Sequence, residues 1–207
     1  MEKVQVLPLT LYKFKLPDNL LNFTLNKCNN IPWNTINSRD NKVFFGSYYK
    51  GEKSSLHRFK NWNLLTEWFQ AKVDEVTIDL KYINIDKIKI SQMWANKSTL
   101  HQWHHSHNHP NSILSGILYV NGTSGNTWFS RKNDYDVAKK YFVCLPNSGS
   151  LIYKVKPEIG TLLIFPSSLI HSVDENMNNE DRITVSFNTF FSGKIGSGLE
   201  ELNIRIE

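Results

Sequence analysis

Five of the seven histidines fall within the nine residues His101–His109, in the order His-Gln-Trp-His-His-Ser-His-Asn-His, and the other two are His57 and His171. Neutral imidazole is a common ligand for first-row metals, so such a cluster points first to a metal. In an extended chain His105, His107 and His109 share one face, because residues two apart lie on the same side of a strand. A pair of them can chelate one ion. A third donor has to come from elsewhere, and His171 follows the β-rich segment 161–170 in a distant part of the chain. Two near donors and one distant donor cover one face of an iron and leave other positions open, whereas a closed tetrahedral site needs a fourth protein ligand.

Eleven residues beyond His171, Arg182 opens the stretch Arg-Ile-Thr-Val-Ser-Phe-Asn. On a strand Arg182, Thr184 and Ser186 share a face and bring a guanidinium and two hydroxyls to one carboxylate. Arginine grips a carboxylate through two parallel hydrogen bonds that lysine cannot reproduce. Plainer readings stand beside these. An HxH pair alone is common, His101, His104 and His105 suit a surface tract, and Arg182 suits a structural ion pair. Trp94, Asn96 and Asn188 are candidates for a substrate pocket. The plainer alternative puts the aromatics of this region in the core and has the amides satisfy backbone groups.

The elements that must position these residues are mostly strands. Residues 4–16 alternate apolar side chains and open with a strand, and Pro17-Asp18 starts a helix running to Lys27. Residues 29–55, rich in Asn, Ser and Gly, read as a long loop with one short strand at 43–49. From Asn61 to Tyr82, Leu64, Leu65, Trp68, Phe69, Val73 and Val76 recur at intervals that make an amphipathic helix. After Asp86 seven strands follow, at 88–95, 112–120, 126–129, 141–145, 151–155, 161–165 and 182–191, with Gly and Pro turns between them. Helix first and strands after suggest a sandwich or barrel. The tail from Ser192, with three glycines before Leu199, Leu202, Ile204 and Ile206, is read as folding back as an extra element.

Bulk composition narrows the partners. A chain of 207 residues, 40% hydrophobic and 13% aromatic, supports one substantial core. Its formal charge of +5 raises nucleic acid, but 24 basic and 19 acidic residues are interspersed, as on an ordinary solvated surface. Cys28 and Cys144 are too few for a disulfide framework or a cysteine zinc site and read as reduced thiols. No apolar run reaches membrane-spanning length, and the first residues lack a signal region, so the expected place is the cytoplasm, that of a host cell for a phage protein.

The segments His107-Asn-His-Pro-Asn-Ser, Ser115-Gly-Ile-Leu-Tyr-Val, Gly160-Thr-Leu-Leu-Ile-Phe-Pro-Ser-Ser-Leu-Ile-His-Ser-Val and Arg182-Ile-Thr-Val-Ser-Phe-Asn occur in that order. Together they resemble the 2-oxoglutarate and Fe(II)-dependent oxygenases over roughly 94–191. The likeness is closest to a small branch from marine bacteria and phages in which a Trp-x-Asn strand, here Trp94-Ala95-Asn96, precedes the histidines. The resemblance implies a mainly β fold, a double-stranded β-helix or cupin-like jelly-roll, with N-terminal helices. It divides a single domain over 1–207 into a strand and helical buttress (1–86), a jelly-roll core (87–191) and a C-terminal extension (192–207). It makes His107 and His171 iron ligands and sets His109 at the second ligand position, where most of the superfamily carries Asp or Glu. It makes Arg182 the anchor for the distal carboxylate of 2-oxoglutarate, with Tyr119 supporting it and Thr184 or Ser186 completing the pocket. Fe(II), 2-oxoglutarate and O2 are the implied cofactors and co-substrates. The implied reaction couples decarboxylation of 2-oxoglutarate to hydroxylation of a protein side chain or small metabolite.

Three neutral imidazoles also suit a cupin-type dioxygenase that needs no 2-oxoglutarate, and the retained Arg182 favours the co-substrate. A non-catalytic metal or nucleic-acid binding module is the alternative from another class, and it predicts binding with a steep salt dependence and no turnover. A zinc hydrolase is disfavoured because no Glu stands beside the histidines as a general base. Membrane partners are not expected, and a homo-oligomer is left open. Substrate choice is assigned to the segments 29–55 and 121–136.

Overall fold

The computed structural model describes residues 10–37, 43–49, 52–53, 55–82, 84–130, 152–196 and 204–206. In chain order these form β1 (Tyr12–Lys15), α1 (Asp18–Asn29), β2 (Trp33–Asn37), β3 (Val43–Tyr49), β4 (Glu52–Lys53), two short 3-10 turns, α2 (Asn63–Asp79), β5 (Ile85–Ser98), β6 (His104–His107), β7 (Leu114–Asn121), β8 (Thr127–Ser130), β9 (Ile152–Val155), β10 (Thr161–Pro166), β11 (Ile170–Val173), β12 (Arg182–Ile195) and β13 (Ile204–Ile206). Among the described residues a larger sheet runs β1-β10-β7-β12-β5-β3-β2, with β13 on β12 and β4 on β3, and a smaller sheet runs β6-β11-β8-β9. All named strand pairs are antiparallel. This is the double-stranded β-helix.

Period-two alternation builds the larger sheet. Leu114, Leu118 and Val120 of β7, Leu162 and Ile164 of β10, Met93 and Ala95 of β5, and Ile183, Val185 and Phe187 of β12 join one core with Leu65, Phe69, Val73 and Val76 of α2. Their α2 partners recur at three- and four-residue steps, which puts one stripe of the helix on the sheet. The intervening residues of the same strands face the smaller sheet, where Ile117, Tyr119, Leu163 and Phe165 pack with Phe129 and Val155. Gly116 is required where β7 meets β12: a Cβ there would collide with the Phe187 ring opposite it.

Sequence expectations and structure differ at several elements. The segment 29–55 carries the expected strand at 43–49, which is β3 and pairs with β5 beside Asn96, but it also holds β2 and β4 and so is less of a loop than expected. Asn-rich β2 carries only a short alternation, too weak to signal a strand. The tail does add an element, since β13 pairs with the end of β12. Two four-residue strands, β6 and β11, stand outside the seven expected, because their polar histidine and serine residues mask the pattern. The expected strand at 141–145, residues 4–9 of the expected first strand, and residues 131–136 of the specificity segment 121–136 lie outside the described residues.

Candidate metal centre

β6 and β11 bring the histidines together. His107 stands opposite His171, and a register shift places His104, not His105, opposite Val173. The extra residue on β6 is a β-bulge, which re-aims side chains locally. His104 and His107, three apart in sequence, therefore line the same pocket as His171, whereas His105 is exposed. The expected His105–His107–His109 face is thus only partly realised. β6 ends at His107, and His109 reaches the site from the following loop, where its backbone N–H donates to the Ser167 carbonyl at 3.0 Å. His101 faces away and pairs with Glu175 at 2.7 Å.

One ligand atom from each of His107, His109 and His171 lies within 4.8 Å of the others. His109 Nε2 and His171 Nε2 are 3.2 Å apart. Two nitrogens each about 2.1 Å from one ion and at a right angle stand about 3.0 Å apart, so the spacing fits a shared metal. Two tautomers are fixed by carbonyls, which can only accept. His107 Nδ1–H donates to the His105 carbonyl at 2.8 Å and His171 Nδ1–H to the Leu169 carbonyl at 3.1 Å, leaving both Nε2 lone pairs for a ligand. Burial, with the neighbouring His107 second, lowers the pKa of His171 to about 2 and of His109 to about 4; burial also lowers that of His107. The imidazoles are therefore neutral at neutral pH, the form that binds metal. A set of nitrogen donors with open positions beside it fits Fe(II).

The larger sheet supplies the opposite wall. Arg182, Thr184 and Ser186 of β12 and Trp94, Asn96 and Ser98 of β5 line the same pocket, paired as Arg182–Ser98, Thr184–Asn96 and Ser186–Trp94. The Trp94 ring centroid lies 5.7 Å from that of His109. Arg182 is buried, its Nε has no hydrogen-bond partner among the described residues, and burial pulls its pKa down while Tyr119 opposes the shift. Tyr119 is fully buried beneath it, the guanidinium 5.8 Å from the ring centroid, and its hydroxyl bonds Thr127 Oγ1 at 2.7 Å. Tyr119 and Asn188 do not line the pocket itself. Asn188 stands behind His109, its Nδ2 3.3 Å from His109 Nδ1.

Residues 92–188 match the family model described as "Putative 2OG-Fe(II) oxygenase". The match is to the iron- and 2-oxoglutarate-dependent oxygenases. It takes in the three histidines, Arg182 and both walls of the pocket. The fold is shared with a prolyl-4-hydroxylase from Pseudomonas putida (TM-score 0.62, 12% identity, covering 89% of this chain and 94% of that one). It is also shared with SnoK, an alpha-ketoglutarate-dependent carbocyclase of nogalamycin biosynthesis (0.66, 6%, 96% and 90%). A third likeness is to HygX from Streptomyces hygroscopicus, solved with nickel and 2-oxoglutarate bound (0.59, 9%, 88% and 83%). At these identities the likeness carries the fold alone. No curated protein matches the chain in sequence. Among the described residues no helix is long and apolar enough to cross a membrane.

Proposed function

We propose that the chain, read as one domain over 1–207, is an oxygenase in which His107, His109 and His171 hold Fe(II) and Arg182 binds the distal carboxylate of 2-oxoglutarate. The reaction is hydroxylation of a prime substrate, a protein side chain or a small metabolite. The observation that carries the reading is the buried Arg182, whose Nε lacks a partner among the described residues, in one pocket with three converging imidazoles. A buried guanidinium without a counter-charge is costly, and a dianionic co-substrate spanning the pocket offsets that cost. Iron supplies the oxygen chemistry when bound. The chain's own contribution is positional. Arg182 offers a forked donor to the far carboxylate, and the Thr184 and Ser186 hydroxyls line the way between Arg182 and the histidines. Trp94 and Asn96 border the space left for the prime substrate.

The test is an anaerobic titration of Fe(II)-loaded protein with 2-oxoglutarate, following the visible charge-transfer band of the chelated keto acid, with Arg182→Ala as control. A band in the wild type that weakens in the variant is expected. Bound iron without a band overturns the reading and favours a three-histidine dioxygenase that needs no 2-oxoglutarate.

A further inference from the structure

Among the described residues, His109 is the one donor of the three whose second nitrogen faces no backbone carbonyl. Its Nδ1 meets Asn188 Nδ2 at 3.3 Å, and the same Nδ2 reaches Gln92 Oε1 at 2.8 Å. Asn188 is buried, and its Oδ1 accepts from Ser115 Oγ at 2.8 Å. With an N–H donating to His109 Nδ1, the imidazole proton sits on Nε2, directed at His171 Nε2. That proton occupies the lone pair a metal would need. A metal on His109 Nε2 requires the neutral ring to carry its proton on Nδ1, and the atom facing Nδ1 must then accept.

We propose that Asn188 is the positioning residue for His109: turned so that Oδ1 accepts from Nδ1–H, its carboxamide holds the tautomer whose Nε2 faces the metal. This rests on the reading of the three histidines as metal ligands. The half-turn exchanges two groups of nearly equal size, and partners already in place meet Oδ1 and one Nδ2–H after it. Gln92 turns with Asn188 and donates Nε2–H to Oδ1. Asn188 Nδ2 donates to Ser115 Oγ, Ser115 to Ser167 Oγ at 2.7 Å, Ser167 to Ser112 Oγ at 2.7 Å, and Ser112 to the Leu114 carbonyl at 3.2 Å. Every hydroxyl in this chain donates once, and the run ends on an acceptor that needs no proton. The run holds His109 at two places, through Asn188 at its start and through Ser167 within it, whose carbonyl receives the backbone N–H of His109. The ring stays neutral in both tautomers, so the switch moves a proton from Nε2 to Nδ1 without a change of charge.

The register explains why Asn188 can serve. It pairs with Gln92 across β5 and with Ser115 across β7, and the pairing with β5 shifts immediately after it. A bulge at that place directs one side chain toward the site. A carboxylate ligand at position 109 has no second ring nitrogen to orient, so this amide is the counterpart of the histidine found there.

The experiment uses full-length protein labelled with 15N-histidine and loaded with Zn(II), a diamagnetic probe, and read by long-range 1H–15N correlation. Chelator competition gives Zn(II) affinity for wild type, Asn188→Leu and Asn188→Asp. The expected wild-type signature is a metal-bound Nε2 and a protonated Nδ1 on His109. Leu, which keeps the branched heavy-atom skeleton of Asn but cannot accept, should weaken Zn(II) binding by about 10–100-fold, and Asp, which keeps the acceptor, should restore it. Metal on Nδ1 of His109, or Leu binding Zn(II) as tightly as wild type, overturns the proposal while leaving the metal site standing. A wild-type protein that binds no stoichiometric Zn(II) overturns the metal reading beneath it. If the Leu variant fails to fold in a melting control, the wild-type spectrum and the Asp variant still decide.

Discussion

The two faces of β12 are equally buried and do opposite things. Ile183, Val185 and Phe187 turn to the helices at 0–5% exposure, and Arg182, Thr184, Ser186 and Asn188 alternate with them at 4–6% toward the smaller sheet. Burying hydrocarbon lowers the free energy of the fold, whereas burying a guanidinium raises it unless something offsets the charge. Burial by itself therefore does not separate core from site. What separates them is whether the buried groups are satisfied: Phe187 is complete against Phe69, its ring centroid 4.8 Å away, while Arg182 Nε is left without a partner among the described residues.

The comparison predicts that the faces can be broken separately. Phe187→Ala removes the ring that covers Gly116 and meets Phe69, and should cost about 3–5 kcal/mol in urea unfolding. Affinity for 2-oxoglutarate, measured on the remaining folded fraction, should stay unchanged. A parallel loss of affinity would show that the two faces are mechanically one.

Arg182→Met makes the converse cut. The site loses its forked donor, and 2-oxoglutarate binding should weaken by about 2–5 kcal/mol, the usual cost of removing one partner from a buried charged pair. Thermal stability of the metal-free protein should hold or rise, because an uncompensated buried charge has been replaced by hydrocarbon. A destabilised variant would mean that Arg182 serves the core after all.

Much of this arrangement was legible in the sequence, for a physical reason. A strand buried on both sides keeps its period of two even when one face is polar, so Arg182, Thr184 and Ser186 were readable as a set without any structure. His171 was readable because it follows an apolar strand at a distance from the cluster. What the sequence concealed depends on contacts between strands. The bulge that brings in His104 in place of His105 is a register shift against β11, and no pattern within His104–His107 encodes it. Likewise Asn188 became a neighbour of His109 only through its pairing with Gln92 and Ser115. A lone Asn inside a strand carries no signal of that kind. Gly116 is the intermediate case, since a glycine inside an apolar strand hints at a close approach but does not say to what.

That close approach supplies a smaller test. Gly116→Ala pushes a methyl into the Phe187 ring, and overpacking of this sort should cost about 1–3 kcal/mol. Because the displaced ring lies on the helix side, Zn(II) affinity should be unaffected, and a loss of metal binding would place the disturbance on the other face.

The smallest effect is in the pH dependence of the metal-free protein. Burial lowers the pKa of His171 to about 2 from an ordinary value near 6.5, so the unfolded chain takes up a proton that the folded chain refuses. Stability from this group is complete above the unfolded value and is lost as pH falls from there toward the folded value. Between pH 7 and 6 the loss is about 0.7 kcal/mol for one such group. His171→Phe should flatten this part of the profile, read from chemical unfolding at each pH, because a phenyl ring has no proton to take up. An unchanged slope would assign the dependence to His104, which burial lowers to about 3, or to His109, leaving the carbonyl-anchored His171 silent.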